Sequence, residues 1–179
     1  MSRYNLRLGS STSIQPRVGA GGRGGGNVLN APHAQMYLRF YWNTPILLSP
    51  HNPNTLWFGG NRLFRSDSRG DSYVASPDLT KQMDRCKIAV MGVPDTVAQL
   101  SKNDGLTAYS TIISVSESPV ARGTVWAGTW GGGLSRFDGK NWKHYTVAEG
   151  LPGNHVFMLN LDAQGALWIG TNKIGRAHV

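Results

Sequence analysis

Ten carboxylates, five histidines and one cysteine are what this chain of 179 residues offers for acid–base, nucleophilic or metal chemistry. Hydrolysis of a glycosidic bond takes two carboxylates facing each other across it. Asp67, Asp71, Asp138 and Asp162 instead fall in Gly- and Ser-rich strings, where Asp serves a turn by bonding nearby backbone. Asp78, Asp95 and Asp104 lie in a stretch of different composition, and nothing in their spacing pairs them. His33, His51, His144, His155 and His178 are scattered without metal-ligand spacing, and His51 in His-Asn-Pro-Asn reads as a turn residue bonded to backbone. Cys86 alone forms neither a disulfide nor a metal framework. A literal G-x-G-x-x-G at Gly19, Gly21 and Gly24 lacks the preceding strand and following helix that a dinucleotide site needs. No G-x-S-x-G elbow, P-loop or H-E-x-x-H occurs. The reading is therefore no catalytic, metal or cofactor-binding residues, and no cofactor. What remains is stacking chemistry: Trp130 follows a strand and precedes Gly131, Gly132 and Gly133, which makes it the candidate ligand-stacking residue.

The elements that would carry it are repeats. Leu56-Trp57-Phe58-Gly59, Val125-Trp126-Ala127-Gly128 and Leu167-Trp168-Ile169-Gly170 share one apolar-Trp-apolar-Gly pattern. Trp126 and Trp168 are 42 residues apart, within the period of about 40–50 residues of a four-stranded propeller blade. Trp57 and Trp126 are 69 apart, one period plus an insertion placed at about 78–110, in which Pro94 to Leu100 suggests a helical turn or two. The second unit reads as strands at 112–115, 124–127, 133–137 and 141–146, with Asp138-Gly139 as a type I′ hairpin turn. The first reads as 45–48, 55–58, 62–66 and 72–75, preceded by a strand at 36–42. The third has two strands, 156–161 and 166–171. The expected fold is all-β, a partial β-propeller of two to three blades over 35–173. An irregular Gly-rich segment over 1–34 precedes it. Trp57, Gly59, Gly70, Trp126, Gly128, Trp142, Trp168 and Gly170 are structural repeat positions, with the rings of Trp57, Trp126 and Trp168 filling space between neighbouring blades.

Charge narrows the partners. The net charge is +8, and seven Arg precede the first acidic residue, Asp67. They are scattered among Gly, Ser and Asn, with no interleaved stacking aromatics over residues 5–36, so a solvated basic tail is expected and no nucleic acid. No apolar run is long enough for a membrane span, and Met1 is not followed by the apolar stretch of a signal peptide. The last six residues, 174–179, coincide with the translation of a sequencing adapter and are expected to be non-native.

Two resemblances follow. His51-Asn52-Pro53-Asn54-Thr55-Leu56-Trp57-Phe58-Gly59-Gly60 and the residues to Ser66 resemble BNR/sortilin-type propeller proteins of bacteria. The next string, Ser66-Asp67-Ser68-Arg69-Gly70-Asp71-Ser72-Tyr73, is similar to that family's Asp-box turn. It keeps the frame and Gly70, with Ser68 in place of Asp and Tyr73 in place of Trp. Gly128 to Trp142, Gly150 to Val156 and Leu167 to Thr171 resemble the two-component-regulator propeller repeat. The two meet near Val125 to Thr129, which leaves one mixed propeller or two joined halves as readings. The resemblances imply a secreted or periplasmic parent that supplies further blades. They imply a non-catalytic scaffold that binds a protein or carbohydrate ligand. The alternatives are a BNR-type glycoside hydrolase with catalytic residues partly elsewhere, and the periplasmic sensor of a histidine kinase.

Overall fold

In the computed structural model, the described residues are 1–19, 25–31, 36, 38–81, 89, 92–93, 97 and 110–173. Strands form where short β-branched and aromatic runs are cut by Gly, Asp and Asn turns. β1 (Ser2–Asn5) and β2 (Ser10–Ser13) pair as a hairpin. β3 (Ile46–Leu48), β4 (Leu56–Gly59), β5 (Arg62–Ser66) and β6 (Val74–Asp78) make one four-stranded antiparallel sheet. β7 (Ile112–Glu117), β8 (Val125–Thr129), β9 (Leu134–Phe137) and β10 (Trp142–Tyr145) make a second. β11 (Val156–Leu161) and β12 (Leu167–Thr171) make the two inner strands of a third. Strand order follows chain order in every sheet, so each is a meander, and the three are successive blades of a partial β-propeller.

Strand alternation explains the stacking. In β4, Leu56 and Phe58 face one way, into a cluster with Phe64, Tyr73, Ile14 and Val28. Trp57 faces the other way, into a cluster with Ile112, Val125 and Ala127 of the second blade. In β8, Val125 and Ala127 look back at the first blade while Trp126 joins Leu134, Leu151 and Val156 on the third-blade side. Both faces of the middle blade are covered, so β8 is buried along its whole length. Polar ties cross the same interfaces. The buried Trp57 Nε1–H donates to Glu117 Oε2 at 2.8 Å, and the Gly123 amide donates to the other carboxylate oxygen. His51 Nε2–H donates to the Ser118 carbonyl at 2.7 Å, a backbone bond from the turn where one was expected.

The N-terminal segment differs from a solvated tail. Arg3 binds Asp71 and the Arg69 carbonyl, and Ile14 and Val28 are core residues. Val28 bridges Tyr73 in parallel, and the Asn30 carboxamide both donates to and accepts from the Ala75 backbone at 2.8 Å. These bonds cover part of the outer edge of β6, one way of blunting an exposed strand edge. Among 36 and 38–42 no strand forms. Met36, Leu38 and Phe40 lie over the first blade's apolar face, a packing role that their composition shared with a strand.

One turn also departs from expectation, and another shows what holds it. In the β9–β10 hairpin only Gly139 takes positive φ (97°), whereas a type I′ turn needs it at two residues. Asp138 Oδ1 accepts from the Lys140 and Asn141 amides instead, so the carboxylate organises the loop. The 66–73 turn is held by hydroxyls: Ser66 Oγ accepts from the Gly70 amide at 2.8 Å and Ser68 Oγ from the Ser72 amide at 3.0 Å. Arg69 and Gly70 sit at positive φ of 57° and 95°. Residues Pro94–Leu100 other than 97, together with Cys86, Asp95, Asp104, His33, His178, Gly21, Gly24 and 174–179, lie outside the described residues.

Candidate ligand-binding loop end

Each blade turns at two ends. One end carries the loops between first and second strands and between third and fourth, including the 66–73 and 138–141 turns. The other end carries the β4–β5 and β8–β9 turns and the loops entering each blade. Trp130 lies at this second end. Its amide donates to the Thr111 carbonyl at 3.0 Å, and it bridges His155 across the next blade.

The glycines after Trp130 fix its position. Gly131 and Gly133 take positive φ of 86° and 82°, which lets the chain fold back between β8 and β9. Both of their amides donate to the Asn154 carbonyl, at 3.1 and 2.9 Å. The Thr129 hydroxyl donates to the Gly133 carbonyl and accepts from the Gly132 amide. A single 3-10 turn, Val147–Glu149, leads toward this point from β10. Thr146 caps it and Glu149 bonds back to the Thr146 amide. The Val147 amide donates to Asn154 Oδ1, so Asn154 ties three segments together.

Three aromatic rings meet there. Trp130 stands 5.6 Å from His155 and 5.3 Å from Phe157, at interplanar angles of 86° and 89°. His155 and Phe157 are 6.4 Å apart and nearly parallel, at 21°. Phe157 reaches the cluster because the β11–β12 register shifts between Val156 and Met158, a bulge that re-aims one side chain out of the alternation. Trp130 is 39% and Phe157 45% exposed, which leaves ring surface open to a ligand. Trp42, 85% exposed beside Tyr41, is in the loop entering β3 at the same end. Behind the glycine turn is a cleft of about 450 Å³ with Thr80, Lys81, His144, Thr146 and Asn154 on its walls. The arrangement can stack a flat or CH-rich surface on open rings and offer hydroxyl, amide and imidazole partners beside it.

The other singled-out residues sit elsewhere. Trp57 and Trp126 are buried between blades, each with an Arg from the adjacent strand over its ring, Arg65 at 5.7 Å and Arg136 at 5.5 Å. Trp142 is half-buried and stacks on Phe137 at 4.9 Å, beside a lateral cleft of about 310 Å³ that Trp57 and Arg65 also line. Trp168 is 65% exposed, and its Nε1–H donates to Asp162 at 3.1 Å. Gly59, Gly128 and Gly170 lie at matching places two residues after each repeat Trp, and Gly70 lies in the 66–73 turn. His155 and Phe157 escaped the sequence reading. The available signal was two rings at i and i+2 beside a glycine-rich turn, but without the bulge that spacing reads as plain alternation.

Among the described residues, no group of three or more His, Cys, Asp or Glu side chains could hold a metal, and no helix is long and apolar enough to cross a membrane. The described carboxylates are engaged in structure. Asp67 accepts from Thr55 and Arg65, Asp71 pairs with Arg3, and Asp78 accepts from Asn61 and Thr80. Backbone amides of Asn141 and Lys140 hold Asp138 below the usual carboxylate range. The Thr146 hydroxyl and amide do the same for Glu149, and Trp168 Nε1–H followed by the Ala166 amide for Asp162.

A family model described as the two component regulator propeller matches residues 150–173. No curated protein matches the chain. Two solved structures of the extracellular domain of one B. thetaiotaomicron protein are similar in fold. One is described as a proposed one component system and the other as a proposed hybrid two component system. Identity is 15% to the first and 17% to the second, and the TM-score is 0.52 for each. Each comparison covers 96% of this chain and 18% of the other, so the chain spans under a fifth of either length.

Proposed function

We propose that this chain is part of a non-catalytic β-propeller that binds a ligand or partner protein through the loop end bearing Trp130, His155 and Phe157. One observation carries the reading: the segment that matches the regulator propeller repeat, residues 150–173, supplies two of the three clustered rings. The parent is read as an extracellular or periplasmic sensor of a two-component system, in line with the description of the similar structures as extracellular domains. The structural engagement of the described carboxylates supports a binding rather than a hydrolytic role. The 66–73 turn is read as a degenerate Asp-box of BNR type, in which the Ser68 hydroxyl takes an amide that a carboxylate would otherwise accept. Residues 1–34, 35–173 and the tail after 173 are proposed as the units of the chain, with the first packed on the second.

The test is a titration of intrinsic Trp fluorescence with neutral oligosaccharides of glucose, xylose, mannose and galactose, alongside Trp130→Ala. At least one oligosaccharide is expected to shift the emission, and Trp130→Ala to abolish the shift with the far-UV spectrum unchanged. Binding that survives both Trp130→Ala and Phe157→Ala, or release of reducing sugar, would sink the proposal.

A further inference from the structure

The cleft behind the glycine turn holds a positive charge that its walls leave unanswered. It measures about 450 Å³, inside the roughly 300–1,000 Å³ range of small-ligand sites. One wall is the segment leaving the first blade, Asp78 to Lys81, and the other holds Gly132, His144 and Asn154. Gly132 lets the two walls meet. A Cβ there would stand 3.1 Å from the Lys81 backbone nitrogen and 2.8 Å from Thr129 Oγ1. Lys81 is thereby seated against the same turn that carries Trp130.

The acids beside this cleft already have partners. Asp78 Oδ1 accepts from the Thr80 amide and hydroxyl at 3.0 and 2.6 Å. Its Oδ2 accepts from Asn61 at 2.7 Å and pairs with Arg39 at 3.5 Å. Glu149 spends Oε2 on the Thr146 amide and hydroxyl, both at 2.7 Å. Lys81, by contrast, takes part in no ion pair and no side-chain hydrogen bond among the described residues. On the facing wall, His144 Nδ1 is occupied by the Ser135 hydroxyl at 2.8 Å. A ring that accepts that hydroxyl at Nδ1 carries its proton on Nε2, where it is a donor.

We infer that this cleft is a subsite for an acidic group, a carboxylate or a sulfate, carried by the saccharide that binds at the Trp130 end. Lys81 supplies the counter-charge and His144 a directional donor. The inference rests on the reading of the Trp130 loop end as a binding surface, and it adds the charge of the ligand. An anion gives Lys81 the partner that the protein does not supply. In a cleft partly screened from solvent, such a charge-assisted bond is stronger than on an open surface. A neutral sugar on the Trp130 ring leaves Lys81 as it is.

The test is a calorimetric titration of the full chain with two matched pairs of probes. One pair is tri-galacturonate and its methyl ester, and the other is a sulfated galactose trisaccharide and its unsulfated form. At least one charged probe is expected to bind about tenfold tighter than its neutral mate, and the pair that shows this identifies the group as carboxylate or sulfate. Lys81→Met is expected to erase the preference while leaving the neutral probe's affinity unchanged, and His144→Gln to narrow it. Trp130→Ala is expected to weaken both members of a pair by the same factor. Equal binding within both pairs, a preference that survives Lys81→Met, or no binding of either charged probe overturns the inference and leaves the Trp130 reading to its own neutral-sugar titration. A preference erased by Lys81→Met, with Trp130→Ala changing neither member, supports the acidic subsite and overturns the Trp130 reading instead.

Discussion

Tyr73 shows how one side chain can link three segments. It is 1% exposed, lies edge-on to Phe58 and Phe64, and donates its hydroxyl to the Ile14 carbonyl at 2.6 Å. Burial first, and then the charge of Asp71, raise its pKa well above the ordinary 10.0. The folded protein thus keeps a proton that the unfolded chain releases. The stability this contributes is complete below about pH 10 and is lost as pH rises from there toward the folded value. Tyr73→Phe is expected to lower stability by about 1 kcal/mol at pH 7, the worth of one buried hydrogen bond. It should also flatten the decline above pH 10. Urea midpoints measured from pH 7 to 11 check both parts. From sequence, Tyr73 reads only as a replacement for Trp in a turn, because its partner Ile14 is 59 residues away.

At the scale of elements, the Trp-x-Gly strands were legible because alternation and a repeat period survive in the residue string. The reason for their glycines was not. Glycine in a strand interior normally weakens it, and here the cost is offset by close approach of the next blade. Gly128→Ala is therefore expected to destabilise by roughly 1–3 kcal/mol through overpacking against Val156. Gly139→Ala, with open space around it but φ at 97°, tests backbone strain without crowding. Denaturant melts of both variants decide the point, and equal loss in the two would contradict a packing origin for Gly128. The bulge that brings Phe157 to Trp130 belongs to the same scale. A matching register shift occurs in β7 between Ile112 and Ser114, so the two inner strands share the feature.

For the whole molecule, coverage sets where the fold is firm. The second blade is packed on both faces. The first is covered on one face by the second blade and on the other by the N-terminal segment. The third has one packed face and two strands. Amides of β8 are expected to exchange slowest and those of β12 fastest among the blade strands, since local opening follows buried contact. Native-state hydrogen exchange read by mass spectrometry tests this, and β12 protection equal to that of β8 would contradict it.

Period, alternation and the positions of turns were written in the residues themselves, because each depends on neighbours a few positions away. They determined an all-β blade array, the strands of its blades to within a few residues, and Trp130 at a loop, but the strand expected at 36–42 does not form among the described residues and the β1–β2 hairpin falls where an irregular segment was expected. Contacts between distant segments could be decided only in three dimensions. These include the N-terminal segment folding onto the first blade, the convergence of His155 and Phe157 on Trp130, and the division of the repeat Trp into buried Trp57 and Trp126 and open Trp168. The three Trp share one local pattern, and their burial differs because it depends on what packs against each strand face, which no local pattern encodes.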